Sequence, residues 1–247
     1  MPISLNASGI RVLLLDIEGT TTPIDFVLKT LFPFAAARAR DFLLTRFDEP
    51  EVVEALSGLR AANLADAGKG APEWNDSSYE REVEAADEYV RWLMAKDSKL
   101  TALKTIQGKI WEEGFRAGEL KGELYPDVAP ALLRWKDESR RVAIFSSGSV
   151  LAQRLLFAHS SAGDLSPFVE AYFDTTTGPK GDEASYRKIS AALGSDPGKI
   201  LFVSDVSAEL DAARIAGMQT TLSLRPGVAA PDEPTHETVH DFVEICS

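Results

Sequence analysis

The stretch that decides the fold is Val12-Leu13-Leu14-Leu15-Asp16-Ile17-Glu18-Gly19-Thr20-Thr21-Thr22-Pro23. Its apolar half is short, rich in branched side chains and closed by turn-forming residues, which predicts a strand buried on both faces of a parallel sheet. Asp16 and Glu18 follow at the carboxyl end of that strand, the edge at which open α/β sheets bind ligands. Two carboxylates so close together repel each other, so the pair indicates a shared cation.

The composition narrows the class of protein. The chain has 247 residues, 45% hydrophobic and 26% charged, so it can bury a full core as one large domain or two small ones. Its net charge of −12 argues against nucleic acid as a partner. The only cysteine is Cys246, which allows no disulfide framework. No signal peptide and no apolar window of about 20 residues is apparent. We expect a cytoplasmic protein without membrane contact, and we take it to be a monomer.

The pattern of apolar residues divides the chain into two parts. Residues 24–121 show helical patterns only, at 25–47 (with a break or kink at Pro33), 50–59, 79–95 and 100–115. From Tyr125 onward, predicted strands at 141–145, 170–173, 199–203 and 219–222 alternate with helices at 127–136, 150–157, 183–193 and 207–215. A closing helix is predicted at 236–245, with His236 and His240 together on its surface face.

This alternation predicts a mostly parallel sheet with helices on both faces. The first strand precedes the helical block and the other strands follow it, so the block reads as an insertion. We therefore assign residues 1–23 and 122–247 to an α/β core domain. Residues 24–121 form an all-helical cap inserted after strand one.

Polar residues follow four of the predicted strands, where parallel packing would bring them into one crevice. They are Asp16 with Glu18, Ser146 with Ser147, Lys180, and Asp205. A single Asp-x-Glu is weak evidence for a site, because most acidic pairs lie on the solvated surface. Four such strand ends at one edge of a sheet would rarely occur by chance, so we predict one site built from all four.

The acidic members suit phosphoryl transfer. Asp16 can attack phosphorus to give an aspartyl-phosphate that water then hydrolyses. Asp16, Glu18 and Asp205 can hold Mg²⁺, a cation that takes few carboxylates and keeps waters and phosphate oxygens as its other ligands.

The phosphate group also needs positive charge and donors. Lys180 can supply the charge, and Ser146 or Ser147 can bind phosphate oxygens together with N–H groups at the start of the following helix. Each residue also has an ordinary structural interpretation: a surface lysine, or a turn that caps a helix. Asp205 alone is typical of a loop acid or of an N-cap of the helix that begins at Ser207. Glu209, one turn into that helix, is a candidate to support the metal ligands, although a solvated helix face is the more ordinary interpretation.

The order of these motifs and the helical insertion resemble the haloacid dehalogenase superfamily of phosphatases. Further segments resemble the enolase-phosphatase (acireductone synthase) family of methionine salvage, over about residues 10–225. They are Asp16-Ile17-Glu18-Gly19-Thr20-Thr21, Leu31-Phe32-Pro33, Gln107-Gly108 with Trp111, Lys121-Gly122-Glu123-Leu124, Ser146-Ser147-Gly148-Ser149, and Asp174-Thr175-Thr176 with Lys180 and Ser185-Tyr186. Glu18, where most of the superfamily has Asp, is typical of this family.

The resemblance implies a haloacid dehalogenase-like Rossmannoid core and a bifunctional enzyme with one Mg²⁺ per subunit. Its substrate would be a phosphorylated diketone, 2,3-diketo-5-methylthiopentyl-1-phosphate. This compound is enolised and then dephosphorylated to 1,2-dihydroxy-3-keto-5-methylthiopentene. On the family's pattern, the metal ligands are Asp16, Glu18 and Asp205, and the substrate-binding residues are Ser146, Ser147 and Lys180.

Glu18 fits this chemistry, because the enol oxygen that leaves after enolisation is less basic than an alkoxide and needs less help from a general acid. The cap is expected to exclude water and to grip the methylthio tail. Candidate contacts, each more often a core or surface residue, are Phe26, Lys104, Gln107, Trp111 and Phe115.

Three other functions stay open. A hydrolytic dehalogenase would share the fold and the Asp nucleophile but needs no metal, and Glu18 with Asp205 argues against it. A phosphatase for another small phosphate ester is the nearest alternative enzyme. A non-catalytic module that binds a phosphorylated ligand is the third, and an intact Asp16 argues against that reading.

Overall fold

The apolar run Val12–Leu15 is an inner strand of a six-stranded sheet in the computed structural model, which describes residues 3–227 and 235–246. The strands in chain order are β1 (Ile3–Ser4), β2 (Val12–Leu15), β3 (Arg141–Phe145), β4 (Ala171–Phe173), β5 (Ile200–Ser204), β6 (Gln219–Ser223), β7 (Glu237–Val239) and β8 (Ile245–Cys246). The large sheet has the order β4-β3-β2-β5-β6-β7, and all its strand pairs are parallel. Strands β1 and β8 form a separate parallel pair. The predicted parallel α/β core is confirmed.

The register of β2 brings the carboxyl ends of three strands to one level. Leu15 is the partner of Ile144 in β3 and of Val203 in β5. Asp16, the next residue, therefore lies beside the ends of both neighbouring strands. The chain builds β3 and β4 on one side of β2 and then crosses to β5 on the other side. This edge is thus a topological switch point, the usual ligand-binding position in open α/β sheets.

By its internal contacts the chain divides into two units. The helical unit is Asp25–Leu120, and the α/β unit comprises the described residues up to Ile24 and from Lys121 onward. Each junction lies within one residue of the predicted boundary. Residues 1–2, 228–234 and 247 of the predicted core lie outside the described residues.

The helical unit consists of five α-helices and one π-helical turn. They are α1 (Ile24–Phe26, whose first residue belongs to the α/β unit), the π turn (Val27–Leu31), α2 (Phe32–Arg46), α3 (Pro50–Ala65), α4 (Tyr79–Ala95) and α5 (Thr101–Arg116). Four of the candidate substrate contacts are buried, namely Phe26, Gln107, Trp111 and Phe115. The fifth, Lys104, is half-buried.

Of the break or kink predicted at Pro33, the break is absent: the helix continues, but its hydrogen bonding is distorted directly before Pro33. The backbone keeps right-handed helical angles at Leu31 and Phe32, and the Phe32 N–H donates to the Val27 carbonyl five residues back. This wider π spacing comes immediately before Pro33, where the proline ring would otherwise clash with the preceding turn. The Trp111 indole N–H also donates to the Leu31 carbonyl, at 2.8 Å, so tertiary packing supports the irregular turn.

Four helices of the α/β unit connect its strands. They are α6 (Val128–Asp137), α7 (Val150–Ala158), α8 (Glu183–Leu193) and α9 (Ser207–Ile215). Side chains of α8 and α9 form one buried cluster with Val12 and Leu14 of β2. Leu13 and Leu15 point to the opposite face, because side chains alternate along a strand. Both faces of β2 are therefore buried, as its continuous apolar run predicts.

The predicted closing helix at 236–245 is wrong. The segment forms β7, a 3₁₀ turn at Phe242–Glu244 and β8. His236 is buried rather than on a surface helix, with Nδ1 2.8 Å from the Thr220 hydroxyl and Nε2 3.2 Å from an Asp211 oxygen. Pairing of β7 with β6 satisfies the backbone here, and this distant partner overrides the local helical pattern.

The structure also bears on membrane insertion. Among the helices in residues 3–227 and 235–246, none combines the length and the apolar character needed to cross a bilayer.

Candidate active site

Asp16 is the centre of the site and is only 2% exposed. Its Oδ1 lies 2.7 Å from the Lys180 ammonium and also accepts the Ile17 N–H at 2.7 Å. Its Oδ2 lies 3.0 Å from the Ser204 hydroxyl. A carboxylate this deeply buried needs such partners, because desolvating an unpaired charge is costly. The end of β2 therefore holds a carboxylate whose two oxygens have different neighbours.

Lys180 is buried between two carboxylates, so the interpretation as a surface lysine is wrong. Its Nζ lies 2.7 Å from Asp16 and 2.6 Å from Glu209. Burial by itself would lower the pKa of Lys180, but these two carboxylates raise it on balance. The lysine is thus a fixed positive charge at neutral pH. The Tyr186 hydroxyl donates to the Lys180 carbonyl at 2.7 Å and holds the backbone in place.

Glu18 faces a different strand end from Asp16. The Ser146 hydroxyl, directly after β3, donates to its carboxylate at 3.0 Å. Ser146 is buried, Glu18 is half-buried, and Ser147 is half-buried in the same loop. Burial raises the pKa of Glu18, and repulsion from Asp16 raises it further. Glu18 therefore holds a proton more readily than an ordinary glutamate does.

The loop Ser146–Ser149 is held from three directions. Ser149 caps α7 by accepting the Ala152 N–H at 3.3 Å, so the capping interpretation holds for this residue. Gln153 donates to the carbonyls of Gly148 and Phe173, both at 2.8 Å. Asp174 accepts the Val150 N–H at the first turn of α7, at 3.2 Å. The N-terminus of α7 is thereby fixed next to the serines that were predicted to bind phosphate.

Asp205 follows β5 and packs against the turn that follows Glu18. Gly19 adopts φ +71°, and a Cβ on it would lie 2.1 Å from Asp205 Oδ2. Only glycine permits both the left-handed backbone and this close approach. Burial, followed by the charge of Asp16, raises the pKa of Asp205 to about 6. The turn Gly19–Thr22 and the Asp205 carboxylate are therefore positioned together.

Two members of the site were misjudged or missed from the sequence. Glu209 does not lie on a solvated helix face: it bonds Lys180, and its Oε2 is 3.0 Å from the Ser204 hydroxyl. Burial and the charge of Asp16 raise its pKa to about 7. Ser204, fully buried at the end of β5, was not considered. The available signals were a hydroxyl directly before Asp205 and an acid four residues after it, in the first turn of the following helix.

Among the described residues, the predicted metal ligands do not form a preassembled metal site. In the parts of the chain that the structure describes, no group of three or more His, Cys, Asp or Glu side chains gathers as a metal centre. The site nevertheless combines four carboxylates, Asp16, Glu18, Asp205 and Glu209, and the Lys180 ammonium pairs with two of them, Asp16 and Glu209. The metal-binding role of Asp16, Glu18 and Asp205 stays a prediction.

Substituting Gly19 tests the tight approach to Asp205. Gly9 is a matched control, because its φ is +68° but a Cβ there would meet nothing within 4 Å. Gly9→Ala should cost only the left-handed backbone penalty of about 1–2 kcal/mol. Gly19→Ala should cost about 1–3 kcal/mol more, because the methyl group overpacks against Asp205. Urea unfolding of both variants measures the difference, and equal losses of stability would show that the contact is unimportant.

Comparison with known proteins places this geometry in a family. The family model for haloacid dehalogenase-like hydrolases matches residues 10–217. Enolase-phosphatase E1 of Synechococcus elongatus is 51% identical over 245 residues, covering 99% of this chain and all of that protein. The proteins of the same name from Drosophila mojavensis (45% identity, 99% and 98% covered) and Pseudomonas aeruginosa (43% identity, 95% and 98% covered) are also similar.

Solved structures agree with the sequence relatives. The UTR4 protein of Saccharomyces cerevisiae matches with a TM-score of 0.75 and 32% identity, covering 94% of this chain and 98% of that one. A haloacid dehalogenase-type phosphatase from Thermococcus onnurineus matches with a TM-score of 0.57 and 17% identity, covering 95% of each chain, and supports the fold alone. The chain belongs to the haloacid dehalogenase-like hydrolases and, within them, to the enolase-phosphatase E1 family.

Proposed function

We propose that this protein is a Mg²⁺-dependent enolase-phosphatase of methionine salvage. It would convert 2,3-diketo-5-methylthiopentyl-1-phosphate to 1,2-dihydroxy-3-keto-5-methylthiopentene and phosphate. The observation that carries the proposal is the buried pair of Asp16 Oδ1 and Lys180 Nζ, 2.7 Å apart at the switch point of the sheet. Family membership supplies the substrate class.

Asp16 is the proposed nucleophile. One of its carboxylate oxygens attacks phosphorus, the bond from phosphorus to the enol oxygen breaks, and an aspartyl-phosphate forms. Water then cleaves this intermediate, which releases phosphate and regenerates the carboxylate. Lys180 keeps its charge at neutral pH, so it would offset repulsion between Asp16 and an anionic phosphate group. Ser146 and Ser147, with the N–H groups at the start of α7, are the proposed phosphate-binding groups.

Glu18 is the proposed group for moving a proton. Its pKa is raised by burial and by Asp16, which favours the protonated form and so suits a residue that donates a proton. Its carboxylate accepts a hydrogen bond from the Ser146 hydroxyl, whereas the Lys180 ammonium pairs with Asp16. We infer that Glu18 serves the enolisation and later protonates the leaving oxygen, a light demand because that oxygen is an enol.

The carboxylates of the site fit a magnesium ion. Burial raises the pKa of Asp205 most, and the charges of Asp16 and Glu18 raise it further, as expected where carboxylates gather. Asp16, Glu18 and Asp205 would hold one Mg²⁺ per subunit, with waters and phosphate oxygens as its other ligands. When bound, the ion would polarise substrate oxygens and offset the negative charge of the phosphate. We expect the enzyme to act as a monomer in the cytoplasm.

Two alternatives predict different behaviour. A phosphatase for another small phosphate ester would release phosphate from many esters without forming an enol. A non-catalytic module would bind a phosphorylated ligand and release nothing.

The deciding assay supplies the diketone phosphate with Mg²⁺ and follows enol absorbance and phosphate release together. We expect both signals from the wild-type protein, and Asp16→Asn should abolish phosphate release while ligand binding persists, because an amide cannot attack phosphorus. Glu18→Asp should slow enolisation more than phosphate release. Phosphate release without an enol signal, or equal activity on unrelated esters, would rule out the bifunctional assignment.

Ser204→Ala tests whether the hydroxyl beside Asp16 contributes to catalysis. Loss of a hydrogen bond to a charged group is worth about 1.5–3 kcal/mol, so kcat should fall about 10- to 100-fold. Ser223→Ala is the matched control. Ser223 also ends a strand and is buried, and its hydroxyl has no partner within the described residues. Its kcat should stay within about twofold of wild type, and equal effects of the two substitutions would contradict the role of Ser204.

Without metal, lowering the pH should stabilise the fold, whereas removing the metal at high pH should destabilise it. The folded-state pKa values of about 6 for Asp205 and about 7 for Glu209 exceed the usual values near 4. Their protonated forms therefore favour the folded state, and this stabilisation is lost as pH rises through the folded pKa values. In EDTA, the thermal midpoint should thus rise as pH falls from about 8 to about 5.

Added Mg²⁺ requires ionised carboxylates, so it should raise the midpoint more at the higher pH. Asp205→Asn should remove most of that Mg²⁺ effect. Asp137→Asn, an exposed carboxyl at the end of α6, should leave it unchanged. A Mg²⁺ effect of the same size at both pH values would exclude these carboxylates as ligands.

A further inference from the structure

Arg225 is a buried arginine that the chemistry above does not use. It follows β6 by two residues and is 2% exposed. Its guanidinium lies between two aromatic rings, 4.3 Å from the centre of Tyr125 and 4.5 Å from that of Phe242. Arginine is seldom buried this deeply unless it is paired, because its charge must be desolvated.

The guanidinium joins the chain at three separate places. Nη1 lies 2.8 Å from Asp127 Oδ2, which supplies the opposite charge, and 3.4 Å from the His240 carbonyl. Nε donates to the Thr20 carbonyl at 2.8 Å. Asp127 also accepts the Phe242 N–H at 2.7 Å, so carboxylate and guanidinium hold the C-terminal segment together.

Thr20 belongs to the turn directly after Glu18, which we call the threonine loop (Gly19–Thr22). The loop folds back on the catalytic strand end, since the N–H groups of all its threonines donate to the Ile17 carbonyl. The Thr21 hydroxyl donates to the Asp16 carbonyl at 3.0 Å. The backbone from Asp16 to Thr22, which carries both catalytic carboxylates, is thus held in one turn.

Two bonds tie this turn to the rest of the α/β unit. The Tyr125 N–H donates to the Thr21 carbonyl at 3.0 Å, and Arg225 donates to the Thr20 carbonyl. Tyr125 itself packs on the guanidinium, so both bonds depend on one cluster. On its opposite side the loop has no space to move, because Gly19 already lies against the Asp205 carboxylate.

We propose that Arg225 is a positioning residue: it holds the threonine loop against Asp205 and so sets the relative positions of the Asp16, Glu18 and Asp205 carboxylates. Arg225 does not touch the reacting atoms. Its planar guanidinium matters because one group must reach Asp127 and Thr20 from between two rings. Lysine offers the charge without that geometry.

The test compares Arg225→Lys with Arg134→Lys. Arg134 is a matched control, because it donates to the Phe242 and Ile245 carbonyls, at 2.8 and 2.9 Å, and so holds the same C-terminal segment. Within the described part of the chain, Arg134 forms no hydrogen bond or ion pair with the threonine loop. Arg225→Lys should lower kcat about tenfold or more with KM changed less than about threefold, since positioning acts on the chemical step. It should also speed hydrogen exchange of the Gly19 and Thr22 amides.

Arg134→Lys should lower the midpoint of urea unfolding, yet leave kcat within about twofold and the exchange of the threonine loop unchanged. Asp127→Asn is a milder second variant. It should lower kcat at least about threefold, because the guanidinium loses its counter-charge. Equal losses of kcat in the two arginine variants, or an unchanged kcat in Arg225→Lys, would overturn the proposal. Should Arg225→Lys fail to fold, an unchanged kcat in Asp127→Asn would overturn it instead.

The inference rests on the proposed function only for the choice of substrate. Hydrogen exchange needs no substrate, and hydrolysis of p-nitrophenyl phosphate with Mg²⁺ reports on the same carboxylates. A wild-type protein that hydrolyses this ester but not the diketone phosphate would refute the proposed function. The comparison of the arginine variants would then still decide the role of Arg225.

Discussion

The ammonium of Lys180, buried between Asp16 and Glu209, is the interaction on which the site depends. A buried charge needs close partners of opposite sign, and these partners come from separate segments of the α/β unit. Asp16 ends β2, Lys180 lies between β4 and α8, and Glu209 is in the first turn of α9. The parallel order with β2 at the centre is what brings these segments to one edge. The parallel fold and the active site therefore depend on the same order of strands.

That pair leaves the site with more negative than positive charge. The pKa values of Glu18, Asp205 and Glu209 are all raised, in each case first by burial and then by the charge of Asp16. A fold selected for stability alone would not gather acids in this way, and local rules are broken most often at functional sites. The excess charge is compatible with a resident cation and with an incoming substrate that brings one. The same excess makes rigid support of the surrounding loops necessary.

The sequence was most informative where residues follow an apolar run. Asp16, Ser146 and Asp205 each stand directly after or close behind a strand that its branched side chains reveal, so their meeting follows from parallel topology. The remaining partners depend on contacts that no local pattern encodes. Ser204 lies 188 residues from Asp16, and Arg225 lies 205 residues from Thr20. The closing segment was misread for the same reason, because strand pairing with β6 decides its conformation.

The two halves of the proposed reaction can share one site because Asp16 and Glu18 face different neighbours. Asp16 is bound by Lys180, and Glu18 by the neutral hydroxyl of Ser146. The Lys180 ammonium pairs directly with the proposed nucleophile, whereas burial near another carboxylate favours the protonated form of Glu18 that an acid needs. The two carboxylates are only two residues apart but have different neighbours, because the chain turns sharply at Gly19 and the threonine loop folds back behind it. On this argument, both the length of Glu18 and its hydrogen bond to Ser146 suit it to proton transfer.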